Sequence, residues 1–253
     1  MPRNVLAAAA LLAMLMPAAA EPTEIVVRAL SKDAKFIGTS MGGMRVTLRD
    51  ADTKEVLATG VTEGTTGDTK LLMHEGGGRR AQLSDPGSAK FTATLDLDAP
   101  RLIEAEVFGP LAQRQGAQRA ISTQWIIPGR GTGTDGWIIE VPGFVVDVLA
   151  PPAHVRVGDA KEIEVRANVV TMCGCPVEPG GTWDADKYEV QAIVSHNGKE
   201  VARVPMRFAG QTSQFVGSVP VDAAGFYDVL VYAHDAASGN AGVDRTTFIA
   251  DRP

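Results

Sequence analysis

"VDAAGFYDVLVYAHDAASGNAG", residues 221 to 242, decides how this chain folds. Tyr227, Val229, Val231 and Ala233 occupy alternate positions. A period of two sets them on one face of a strand and their neighbours on the other. Gly225 opens the run, and "AASGNAG" closes it with turn formers. The same period recurs on either side. "EIEVRANVVTM" places Ile163, Val165, Ala167 and Val169 on one face, and "KYEVQAIV" does so with Tyr188, Val190, Ala192 and Val194. Asn197-Gly198 in "HNGKEVARV" is a two-residue hairpin signal. "RFAG", "SQFVGSV" and "DRTTFIAD" complete a set of seven short strands in about a hundred residues, the number a two-sheet sandwich of immunoglobulin type contains.

Upstream, "EIVVRAL", "MRVTLRD", "EVLATGV", "AKFTATLDLD", "RLIEAEVFG" and "GWIIEVPGFVVDV" are short, rich in β-branched residues and bounded by Gly, Pro or Asp. These are strand signals as well. "IIPGRGTGTDGWIIEVPG" reads as an added hairpin. The clearest helical period, "AQRQGAQRAIS", is interrupted by a glycine. In "LAPPAHVRVGD", Pro151 and Pro152 break any ladder and read as a stiff connector between domains. The expectation is an all-β chain of two β-sandwich modules, residues 21–150 and 153–253.

The quoted stretch resembles the last two strands of bacterial immunoglobulin-like domains. Asp222 and Gly225 precede Tyr227 at the spacing of a tyrosine corner. In strand order the resemblance covers residues 153 to 250, and it is specific over some twenty of them. "MRVTLRDADTKEVLATGVTEG" resembles the early strands of carboxypeptidase-regulatory-like β-sandwich domains, in which a polar turn such as "DADTKE" joins two alternating strands. Sandwiches host many functions, so neither resemblance assigns one.

Met1 to Ala20 reads as a secretory signal peptide: Arg3, then the apolar "VLAAAALLAMLM", then small residues suited to cleavage after Ala20. The apolar run is too short for a membrane span, and no later stretch is long enough. The expected location is therefore periplasmic or extracellular. Removing Arg3 from the 24 basic residues leaves 23 against 30 acidic, a net charge of −7. An acidic chain without a basic patch repels phosphate backbones, which argues against nucleic acid as a partner and gives no reason for binding anionic membranes.

"GTSMGG", residues 38 to 43, matches the G-x-S-x-G pattern with Ser40 as nucleophile. That motif needs a following helix, and "MRVTLRD" alternates as a strand instead. No catalytic residue is assigned. "DADTKE", "DLDAP" and "DADKY" lack the spacing of a calcium loop and read as turns. Met41, Met44 and the Met73-His74 pair read as core filler rather than a methionine-rich copper site.

Both cysteines of the chain lie in "TMCGCPVEPGGTW", residues 171 to 183. Cys173 shares parity with Val169, so a strand delivers it to the rim of the core. Gly174 and Pro176 then break the ladder, which puts Cys175 in a loop. In an immunoglobulin-like sandwich that loop shares an end with the loop joining the last two strands. His234 and Asp235 are thus expected near Met172, Cys173 and Cys175, with His196 at the far end. Three readings follow: a soft-metal site, since thiolates, a thioether and an imidazole suit Cu(I); a labile redox pair; or a small bridge that shapes the loop. Trp183 beside the loop shields it or meets a partner. The concrete expectation is an exported, non-hydrolytic binding protein whose ligands for a soft metal such as copper are Cys173, Cys175, His234 and Met172. The alternative is a structural or assembly module docking on an envelope complex, with the cysteines as a local disulfide.

Overall fold

The computed structural model describes residues 19–75, 78 and 80–251. The leader expected over Met1 to Ala20 lies, apart from its last two residues, outside the described residues. Among the described residues no helix is long and apolar enough to cross a membrane. The chain is all-β, built as two sandwich-like modules.

The first module contains β1 (Glu21–Ser31), β2 (Arg45–Asp50), β3 (Val56–Val61), β4 (Phe91–Leu97), β5 (Arg101–Gly109), β6 (Gln118–Ile126) and β7 (Trp137–Val141). Its sheets run β4-β1-β7 and β3-β2-β5-β6. The inward faces follow the period of two: Ile25, Val27 and Ala29 of β1 oppose Val46 and Leu48 of β2 and Ile103, Ala105 and Val107 of β5, all buried. A buried guanidinium secures the long loop between β3 and β4. Arg28 donates from Nη1 to the carbonyl of Ala89 at 2.9 Å and from Nε to the carbonyl of Asp135 at 3.0 Å. The Asp135 carboxylate accepts from the backbone N–H of Ser84 at 2.9 Å. Burial opposes the ionised form of Asp135, but these donors and Arg28 hold its carboxyl below the usual range.

Two expectations change here. "IIPGRGTGTDGWIIEVPG" is not a hairpin. β7 pairs in parallel with β1, in the sheet opposite β6. Gly129, Gly131, Gly133 and Gly136 all have positive φ, and they let the intervening loop carry the chain between sheets. The loop is tied to β1, since Thr132 Oγ1 accepts from the Val26 N–H at 3.0 Å. "AQRQGAQRAIS" supplies only a 3-10 turn, Arg114–Gly116, before it becomes β6.

The second module contains β8 (Phe144–Ala150), β9 (Val155–Arg156), β10 (Glu162–Thr171), β11 (Glu189–His196), β12 (Lys199–Pro205), β13 (Arg207–Phe208), β14 (Gln214–Pro220), β15 (Gly225–His234) and β16 (Ala241–Ala250). Its sheets run β13-β14-β10-β8 and β12-β11-β15-β16-β9. With β8 and β9 taken as one strand split between the sheets, this is the strand order of an immunoglobulin sandwich. Pro151 and Pro152 mark that split rather than a connector between domains. β8, on their N-terminal side, pairs antiparallel with β10, and β9 pairs in parallel with β16. Proline has no N–H to continue the first ladder, so the chain leaves one sheet and rejoins the other.

Tyr227, 2% exposed, closes the corner before β15. Its hydroxyl donates to the Ala223 carbonyl at 3.0 Å and accepts from the Ala223 N–H at 3.2 Å. Its ring stacks on Phe248 with centroids 4.7 Å apart. Asn197 and Gly198, with φ of 49° and 82°, make the two-residue turn of the β11–β12 hairpin.

Candidate functional site

β10 delivers Thr171, Met172 and Cys173 to one end of the second sandwich, where Gly174 turns the chain with φ of 76°. Thr171 organises the turn. Its carbonyl accepts from the Gly174 N–H at 2.8 Å, and its hydroxyl oxygen accepts from the Cys175 N–H at 3.2 Å. Cys173 and Cys175 are joined by a disulfide, with their Cα atoms 5.5 Å apart. The bridge is enclosed, Cys173 being 1% and Cys175 4% exposed. Downstream, the Val177 N–H donates to Ser213 Oγ at 3.0 Å, which fastens the loop to the turn before β14.

The loop packs on the first module. A Cβ at Gly174 would lie 2.6 Å from Met41 Sδ, so the glycine backbone sits directly against that side chain. Trp183, 5% exposed, donates its indole N–H to the Asp33 carbonyl at 2.9 Å. The loop between β15 and β16 makes a parallel contact. Asn240 donates to the Lys32 carbonyl at 3.0 Å and accepts from the Gly143 N–H at 2.8 Å. Both loops at this end of the sandwich are therefore bound to residues 32–41. The buried apolar residues of the two modules form one contiguous cluster that includes Met41, Phe144, Met172, both cysteines and Trp183.

This geometry corrects the copper expectation. The ligand chemistry required two thiolates, and the disulfide leaves none. Met172 is fully buried. Along β15 the inward positions are Tyr227, Val229, Val231 and Ala233, so His234 has the opposite parity and leaves the core face. Among the described residues no group of His, Cys, Asp or Glu side chains is arranged to hold a metal ion. Metal binding by Cys173, Cys175, His234 and Met172 is thus set aside, with copper as cofactor. The labile redox reading fares no better, because a bridge this enclosed offers an attacking thiol no approach.

His196 lies in the β11–β12 hairpin, with Nε2 3.0 Å from the Ala224 carbonyl and its ring 4.7 Å from that of Tyr227. Met41 and Met44 are buried core, and Met73 packs against the same cluster. Ser40 is exposed in a 3-10 turn, Thr39–Met41, that leads into β2, so the strand-to-helix elbow is missing. Sequence reasoning missed Asp33, Lys32 and Asn240. Only the turn composition of "SGNAG" hinted at the last.

A cleft of about 440 Å³ opens beside the junction, lined by Asp33, Asp184, Asp235, Lys187 and Tyr188 among others. Burial, then Asp235, pushes the Asp33 carboxyl up. Burial opposes ionisation of Asp235 too, but hydrogen bonds from Ser238 and Ala237 hold its carboxyl down. Burial, with Asp235, Asp33 and Asp184, pushes the Tyr188 phenol well above its ordinary value. In this cleft the Asp184 and Asp235 carboxylates cap their own loops, accepting from the Gly180 and Ala237 N–H groups.

No protein-family model matches the chain, and no curated protein matches it. Among solved structures it is similar to the fibronectin(III)-like modules of CbhA from Clostridium thermocellum, at 11% identity over 83% of this chain and 78% of that one, TM-score 0.30. It is similar also to the titin domains z1z2 in complex with telethonin, at 12% identity over 94% of this chain and 98% of that one, TM-score 0.28. An ICAM-5 D1-D4 ectodomain fragment matches at 12% identity over 94% of this chain and 52% of that one, TM-score 0.25. Likeness this distant adds nothing to what the strand order establishes, which is an immunoglobulin-like or fibronectin-III-like β-sandwich architecture.

Proposed function

We propose that the protein is an exported structural or assembly module, without hydrolytic chemistry, that docks on a larger envelope complex. One observation carries the reading: the loop end of the second sandwich, where such folds usually place their binding loops, is spent on the chain's own first module. What remains for a partner is the outer surface of a braced two-module unit. The Cys173–Cys175 bridge serves that brace by setting the curl that lets Gly174 meet Met41. The signal-peptide reading of Met1 to Ala20 supports export, as does a bridged cysteine pair in place of free thiols. Within this proposal, the second module is a bacterial immunoglobulin-like domain and the first a carboxypeptidase-regulatory-like one.

Cross-linking in intact cells through the protein's lysines, followed by mass spectrometry, tests the reading. The expected result is a discrete high-mass species joined through outer-face lysines such as Lys54, Lys90 and Lys199. Recovery of the protein only as uncross-linked single chains in the exported fraction would overturn it.

A further inference from the structure

The sheets of the two modules end in eight edge strands, and their backbones differ in how they are protected. β9 and β13 are two residues long. β3 and β12 each sit on a register shift, and β12 carries Lys199, Glu200 and Arg203. β4 exposes only Thr92, Thr94 and Asp96. β7 stops at Pro142, and β8 packs under the turn at Gln115 and Gly116. β6 has none of these devices, although β7 flanks it on the inner side, where the Trp137 indole N–H donates to Ser122 Oγ at 3.3 Å. β6 pairs with β5 from Gln118 to Ile126 without a shift, contains no proline, and carries Arg119 as its single charge. Among the described residues its outer backbone edge makes no hydrogen bond. A long edge without a bulge, whose backbone is unpaired, is a template for another strand.

β6 exposes the largest apolar side chains of any edge strand, where β3, β8 and β12 expose only valines or a single leucine. Ile121 is 54% and Trp125 61% exposed, on the same outward face as Thr123 between them. We infer that the occupant of this edge is the β6 strand of a second copy, paired antiparallel about a two-fold axis at Thr123. The order of residues singles out this partner. Antiparallel self-pairing about Thr123 sets Ile121 opposite Trp125 twice, the kind of aliphatic–aromatic cross-strand pair that stabilises sheets. It sets Arg119 opposite Ile127, so the two arginines lie eight residues apart along the ladder, about 27 Å, with no like charges opposed. Each Arg119 keeps its own counter-ion, since Glu106 of the same chain lies 3.6 Å from it. The two four-stranded sheets become one of eight strands. This inference does not depend on docking to an envelope complex.

Two measurements on the full exported chain test it. Sedimentation velocity over about 1 to 100 μM is expected to show a monomer–dimer equilibrium for the wild type. Ile121→Lys with Trp125→Lys should weaken dimerisation at least tenfold while leaving the far-ultraviolet circular dichroism and the Tm of the dilute, monomeric protein unchanged, because both side chains are solvent-exposed in the single chain. Val243→Lys, 52% exposed on β16, should leave the dimer intact. The register has its own test. Across an antiparallel pair, residues on the axis lie about 4.5–5.5 Å apart, within reach of a disulfide. With oxidised glutathione accepting the two electrons, Thr123→Cys should form a covalent dimer, and Ile121→Cys, about 14 Å from its own copy, should not. The native cysteines are already bridged and do not compete. A wild type that stays monomeric throughout, a dimer that survives both lysines, or cross-linking as efficient at position 121 as at 123 would overturn the inference.

Discussion

The indole N–H of Trp183 donates to the backbone carbonyl of Asp33 at 2.9 Å, across 150 residues of sequence and from one module to the other. With Asn240 on Lys32 and Gly174 on Met41, it turns two sandwiches into a jointed unit. Trp183→Phe keeps most of the buried ring and removes the donor. It is expected to cost about 1 kcal/mol, since the Asp33 carbonyl loses its partner in a partly buried place. Equilibrium denaturation measures the loss, and limited proteolysis should show faster cleavage near residues 32–41.

Gly174 is held at a φ of 76° with Met41 Sδ where a Cβ would go. Gly174→Ala should destabilise by about 1–3 kcal/mol through the left-handed backbone and the displaced methionine. Adding Met41→Ala should return the steric part of that loss but not the backbone part. A double-mutant cycle on denaturation free energies separates the two.

Asp33 gives a pH dependence of definite sign. Burial and Asp235 raise its folded-state pKa, so this group's stabilising contribution is complete below the unfolded value and is lost as pH rises through the folded one. At pH 7 the carboxylate is a liability. Asn tolerates the residue's φ of 54° and cannot ionise. Asp33→Asn should therefore raise Tm by about 1–2 °C at pH 7, a small gain because solvent screens the pair. The gain should vanish below about pH 4, where the wild-type carboxyl is protonated in both states. Thermal melts of the two proteins from pH 3 to 8 would show a gap that opens with rising pH.

Tyr227→Phe removes both hydrogen bonds to Ala223 and leaves the stacking on Phe248 in place. A loss of about 1–2 kcal/mol is expected in chemical denaturation, with the far-ultraviolet spectrum unchanged.

Much of this was readable from residue order. The parity of Tyr227, Val229, Val231 and Ala233 places the inner face of β15, and the strand count places the cysteine loop beside the loop after His234. The same parity already turns His234 away from the core, the point on which the metal reading fails. The role of Pro151-Pro152 was not legible. A proline pair says that a ladder stops, but the sheet that the next strand joins shows only in the pairing of Phe248 and Ile249 with Val155 and Arg156 of β9. Nor could sequence reveal that Gly174 meets Met41 and that Trp183 faces Asp33, because those partners come from another module and their positions follow from tertiary packing alone.

Cys173 and Cys175 are bridged to each other inside the junction. Titration with a thiol reagent, in denaturant and without reductant, counts the free thiols. No reactive thiol is expected before reduction and two after it, as the chain has two cysteines. Two thiols reacting before reduction, in protein purified without reductant, would contradict the bridge.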